Sequence, residues 1–138
     1  MLFICEDNSV LSPMAEAIFR SLFPQLEVQS AGRYSAHVRR PVRSVLRALE
    51  IDDSGLLSKD LLSVDMQEVT EVIGLGLPDA SFPIPSRFEI QWWVLPDPAC
   101  APAAEIEDAY SASRDELVRR ISSLGRERGW HPARNIEL

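Results

Sequence analysis

The stretch Leu2-Phe3-Ile4-Cys5-Glu6-Asp7-Asn8-Ser9-Val10-Leu11-Ser12-Pro13-Met14-Ala15-Glu16 decides the architecture of this chain. Met1 to Cys5 is an apolar run of strand length, Ser12-Pro13 is a helix-start signal, and Ala15, Ile18, Phe19 and Leu22 recur at helical spacing. Cys5 is therefore expected at the carboxyl end of a strand, joined by a short loop to a helix N-terminus. Backbone N–H groups curling round such a loop, with the positive end of the helix dipole behind them, receive anions and stabilise a thiolate.

The same alternation continues outward. Leu26 to Ser30 reads as a second strand, Ala31-Gly32 as a turn, and Pro41 opens a helix with Val42, Val45, Leu46 and Leu49 on one face. Ser63 to Val69 suits a short helix, Thr70 to Leu75 a third strand, and Phe88 to Leu95 a fourth, broken by Pro96-Asp97-Pro98. A last helix is expected from about Ala104 to Leu124, with Ile106, Tyr110, Leu117 and Ile121 inward and Gly125 as its stop. Strands alternating with helices imply an α/β fold, a four-stranded parallel sheet flanked by helices on both faces. Ligands of such sheets bind beyond the carboxyl ends of the strands, where Cys5 and Asp97 both fall. Trp92 and Trp93 are adjacent in a strand and so point to opposite faces, one into the core and one free to line that crevice.

At 138 residues the chain is one domain, read as residues 1–124 with a tail at 125–138 that carries Trp130, His131 and Pro132 and docks on its own domain. A net charge of −7 argues against nucleic acid and acidic membrane surfaces as partners and leaves small or basic ones. There are two cysteines, Cys5 and Cys100, no leader pattern at the start and no apolar stretch near membrane-spanning length. The reading is a cytoplasmic protein with two free thiols, a Cys5–Cys100 bridge being left open by the sequence. His37 and His131 have no partners at metal-ligand spacing, so no metal and no cofactor are expected.

The Cys5 segment resembles the active-site loop of the low-molecular-weight protein tyrosine phosphatases and the related thioredoxin-coupled arsenate reductases, whose pattern is Cys-x5-Arg-Ser followed by Pro-x-Ala-Glu. Cys5, Asn8, Ser12, Pro13, Ala15 and Glu16 match it, and Leu11 stands where the arginine would be. Ser30-Ala31-Gly32, the Pro41 helix, Ile51 to Lys59 and Trp93 to Ala99 are similar to further family segments, so the resemblance runs along residues 1–124. It implies Cys5 as nucleophile, the loop amides as part of a phosphate cradle, and Asp97 as general acid.

Leu11 offers that cradle neither donor nor charge, although arginines at phosphoryl transition states elsewhere are worth about 10³–10⁵ in rate. Glu6 and Asp7 bring negative charge to the loop, which repels a phosphate and disfavours the Cys5 thiolate. The expected function is thus a catalytically impaired family member, a pseudophosphatase with a binding or regulatory role, taking a protein partner or small anion at the Cys5 loop. The alternative is an active thiol-dependent phosphatase using Cys5 and Asp97, with Arg33 as substitute cation. Arsenate reduction ranks lower: it needs resolving thiols, and Gly74 to Arg87, where the family's reductases carry them, has none. A purely structural account competes with all three. In it Cys5 is a small buried hydrophobe, Asn8 supplies left-handed backbone, Ser12 caps the helix, and Asp97 is a turn residue.

Overall fold

The computed structural model describes residues 1–138. Four strands, β1 (Leu2–Cys5), β2 (Gln29–Gly32), β3 (Val72–Leu75) and β4 (Gln91–Trp93), form one sheet in the order β2-β1-β3-β4. Every neighbouring pair is parallel. β1 and β3 are buried along their whole length, as apolar runs between two covered faces should be. The α/β class and the four-stranded parallel sheet read from the sequence are the ones observed.

Three helices, α1 (Leu11–Leu22), α2 (Arg40–Ala48) and α3 (Ile106–Arg128), pack against the sheet face carrying Phe3, Cys5, Ile73 and Trp93. The other face, carrying Leu2, Ile4, Val72 and Trp92, lies under irregular chain that contributes Val64, Val69 and Phe82. Helices on both faces were expected, yet this second cover holds only a 3₁₀ turn at Leu61–Ser63. The helix predicted over Ser63 to Val69 does not form. Asp60 caps the 3₁₀ turn by accepting from Leu62 N–H, and Asp65 takes Gln67 N–H, an amide that the predicted helix would need. Beyond β3, Pro78, Pro83 and Pro85 keep the chain out of helix.

Ala31-Gly32, predicted as a turn, completes β2: Gly32 pairs with Cys5 on one side and bridges Asp60 on the other. Gly125 does not stop α3, which runs on to Arg128. The Phe23 ring occupies the space where a side chain at Gly125 would stand, within 2.3 Å of an added Cβ, and the left-handed Gly129 (φ 70°) ends the helix instead. The tail packs on its own domain. Trp130 sets its ring edge-to-face against Phe19 and Phe23 at 5.8 and 5.5 Å between centroids. Beyond it, Arg134 donates to the carbonyls of Leu49 and Glu50 at the end of α2. No helix is long and apolar enough to cross a membrane.

Candidate active site at the carboxyl edge of the sheet

β1 ends at Cys5, and the chain folds back across the end of β2 before entering α1, held there by Arg33 N–H on the Glu6 carbonyl at 2.8 Å. The reversal needs a left-handed residue, and Asn8 supplies it (φ 53°). Asn8 is wholly buried and each of its amide atoms has a partner. Nδ2 donates to Ser12 Oγ (2.8 Å) and Ser30 Oγ (2.9 Å), while Oδ1 accepts from Lys59 N–H (2.8 Å). Ser30 Oγ in turn donates to Glu16 Oε1 at 2.9 Å, and Arg20 and Lys59 pair with that carboxylate at 2.9 and 3.5 Å.

Ser12 was expected to cap α1. Instead it sits inside the first turn, after an N-cap, Val10, that makes no side-chain cap, and points inward with its Oγ 2.7 Å from Cys5 Sγ. Because that oxygen already accepts from Asn8, its hydrogen is free for the sulfur. The Glu16 of the matched motif is therefore an anchor of the loop, a role that its helical position alone did not disclose.

A second tie comes from residues 53–59. Arg47 and Arg43 grip Asp53, and the Arg47 hydrogen bonds hold its carboxyl below the usual range. From this anchored segment Ser58 Oγ donates to the Asp7 carbonyl at 3.0 Å.

Hydrogen bonds from Ser12 and from the Asn8 and Ser12 amides favour the Cys5 thiolate, but burial outweighs them and Asp7 adds to the rise, so the thiol lies above its ordinary value of 9.0. The sign follows. A group whose folded pKa is raised contributes stability below the unfolded value and loses it as pH climbs through the folded one. In a Cys100→Ser background, alkylation of Cys5 by iodoacetamide is thus expected to rise with pH only beyond 9.0, together with a loss of thermal stability. An alkylation midpoint at or below pH ~7, where activated thiols titrate, would contradict it.

Cys5 and Asp97 line one cavity of about 820 Å³, together with Leu11 and Trp92. The crevice role foreseen for one of the paired tryptophans falls to Trp92, while Trp93 is buried against Phe3. Asp97 accepts from Ala99 N–H at 2.9 Å, and Cys100, exposed and unbridged to Cys5, lies 3.8 Å from its other oxygen. Glu6, Asp7 and Asp79 also line the cavity, giving four carboxylates and no basic residue. Asp79 was not singled out from the sequence. Arg33, the expected substitute cation, is absent from the lining. Its guanidinium donates to Glu6 (3.1 Å) and Asp79 and stacks on the Phe82 ring at 4.7 Å.

The fold has known counterparts. Solved structures similar to this chain include an arsenate reductase in the phosphate binding state (TM-score 0.79, 24% identity, 91% of this chain and 95% of that one). Another is the YwlE arginine phosphatase from Geobacillus stearothermophilus (TM-score 0.71, 24% identity, 93% and 91%). A third is a low molecular weight protein tyrosine phosphatase from T. tengcongensis (TM-score 0.71, 22% identity, 91% and 97%). At these identities the likeness establishes the fold. A curated relative, the low molecular weight protein-tyrosine-phosphatase YfkJ of Bacillus subtilis (strain 168), is 31% identical over 85 residues, and the match spans 54% of each protein. The family model for low molecular weight phosphotyrosine protein phosphatase matches residues 1–80, more than half of the chain and all of the Cys5 loop with its anchors, and the chain belongs to that family.

Proposed function

We propose that this family member has left phosphate chemistry and uses the cavity beside Cys5 for binding, as a pseudophosphatase of the cytoplasm. One observation carries the reading: the walls around Cys5 present Glu6, Asp7, Asp79 and Asp97, with Leu11 in the arginine's place and no cation among them. A phosphate dianion gains nothing from Leu11. At an effective dielectric near 20, each carboxylate ~7 Å away and not paired with Arg33 would cost it about 2 kcal/mol per unit charge. The raised Cys5 thiol points the same way, since the nucleophile is the thiolate.

An active enzyme rescued by Arg33 draws no support from that residue's position, because its charge is already met by Glu6 and Asp79. Arsenate reduction would need a resolving thiol, and the one other cysteine, Cys100, follows Asp97 in the chain instead of lying between β3 and β4.

The test is steady-state hydrolysis of aryl phosphates by the purified protein. Turnover is expected at least about 10³-fold below that of an arginine-bearing relative assayed in parallel. Ordinary phosphatase rates that vanish on Cys5→Ser would overturn the proposal.

A further inference from the structure

The cavity is matched to a cation. Of its four carboxylates, Glu6 and Asp79 share the single positive charge of Arg33, whereas Asp7 and Asp97 have no basic partner. Asp7 accepts from Ser9 Oγ at 2.6 Å and Asp97 from Ala99 N–H at 2.9 Å. These are neutral donors, which leave both charges uncompensated in the cavity wall. Trp92 lines its wall, and aromatic faces attract guanidinium and ammonium groups. The edge of the site already shows how such a group is held. The Arg33 guanidinium lies between two carboxylates and over the Phe82 ring.

The surroundings favour a polypeptide over a small amine. Six large hydrophobic side chains are exposed, and three of them, Tyr34, Leu77 and Val94, lie just past the carboxyl ends of β2, β3 and β4, at the sheet edge that holds Cys5. Leu77 and Val94 are 78% and 53% exposed and line the cavity itself. Apolar side chains gathered round a charged pocket are the pattern of a protein-binding surface. The net charge of −7 also steers basic partners toward the chain.

We infer that the cavity beside Cys5 binds an unmodified arginine or lysine side chain of another protein, with Asp7 and Asp97 meeting its charge, Trp92 its flank, and Leu77 and Val94 the apolar residues on either side of it. The inference rests on the loss of phosphate chemistry proposed above and names what took the phosphate's place.

Calorimetric and tryptophan-fluorescence titrations of the full chain with the blocked peptide Ala-Leu-Arg-Leu-Ala test it, beside versions carrying alanine or glutamate at the centre and beside free arginine. The arginine peptide is expected to saturate with Kd below about 1 mM at low salt and to weaken as salt rises. The alanine and glutamate peptides should not saturate. Asp7→Asn with Asp97→Asn keeps the oxygens that accept from Ser9 and Ala99 and removes only charge, so the double variant should fold and bind about tenfold more weakly. Leu11→Arg should abolish binding by filling the site with the chain's own guanidinium, whereas Glu68→Gln, an exposed carboxylate outside this cavity, should change nothing.

Absence of saturation by the arginine peptide overturns the inference, and does so alone if aryl phosphates are also left intact. Binding that ignores the Asp7/Asp97 pair removes the site. Free arginine binding as tightly as the peptide removes the polypeptide partner. Saturation by a phosphotyrosine peptide instead overturns this inference and the proposed function together.

Discussion

Gly32→Ala is expected to destabilise the fold by about 2–4 kcal/mol and to disorder the Cys5 loop, a cost at the upper end for overpacking. A Cβ at Gly32 would stand 2.7 Å from Asn8 N, 2.7 Å from Tyr34 O and 2.8 Å from Asp7 C. All three are backbone atoms, so no side chain can swing away to relieve the contact. Gly32 is also fixed from both sides by its pairing with Cys5 and its bridge to Asp60. The loop has to give, and with it the Asn8 hydrogen bonds to Ser12 and Ser30. Gly129 makes the control. Its φ of 70° disfavours other residues, but nothing lies within 4 Å of an added Cβ, so Gly129→Ala should cost only about 1 kcal/mol. Urea unfolding of both variants decides the matter, and a loss at Gly32 no larger than at Gly129 would mean that the loop is not clamped over β2.

Leu11→Arg, the substitution that restores the family's motif, is expected to raise aryl phosphate hydrolysis by less than about tenfold. The new guanidinium would enter a cavity lined by Glu6, Asp7, Asp79 and Asp97 and pair with those carboxylates before it met a phosphate. Combined with Glu6→Gln and Asp7→Asn, the same arginine should gain about 10³ in rate over the natural chain, as arginines at phosphoryl transition states elsewhere do. The triple variant also releases Arg33 from one of its two ion pairs. Leu11 is 6% exposed and belongs to the main core, so thermal melts must accompany the kinetics. The arrangement is misread if Leu11→Arg alone matches the triple variant: the missing arginine would then be the whole defect, and the surrounding carboxylates incidental.

The parts of the fold legible in the sequence are those set by local patterning. β1, α1 and α2 were placed within a few residues because their apolar periodicity and the prolines near their starts act over short range. The elements that shifted depend on contacts between remote segments. Gly32 reads as a turn residue until its partners Cys5 and Asp60 are known, and Gly125 reads as a helix stop until Phe23 is seen to need the space of its missing side chain. The covering of the second sheet face by loops was illegible for the same reason. At the site, Cys5, Asn8, Ser12 and Asp97 were visible as motif residues, and their convergence followed from the parallel sheet. Asp79 and the engagement of Arg33 were not, because an ion pair spanning 46 residues leaves no mark on local composition.

The hydrogen-bonded chain from Ser12 through Asn8 and Ser30 to Glu16 lies behind the loop, whereas Cys5, Glu6, Asp7 and Leu11 line the cavity. The two sets of residues answer to different pressures. Changing a member of the first breaks a buried polar network and threatens folding; changing Glu6 or Asp7 alters charge at a solvent-facing surface and leaves the backbone where it was. In this chain Asn8, Ser12, Ser30 and Glu16 therefore account for a loop that keeps its shape, and the residues that line the cavity set the charge it offers to a ligand.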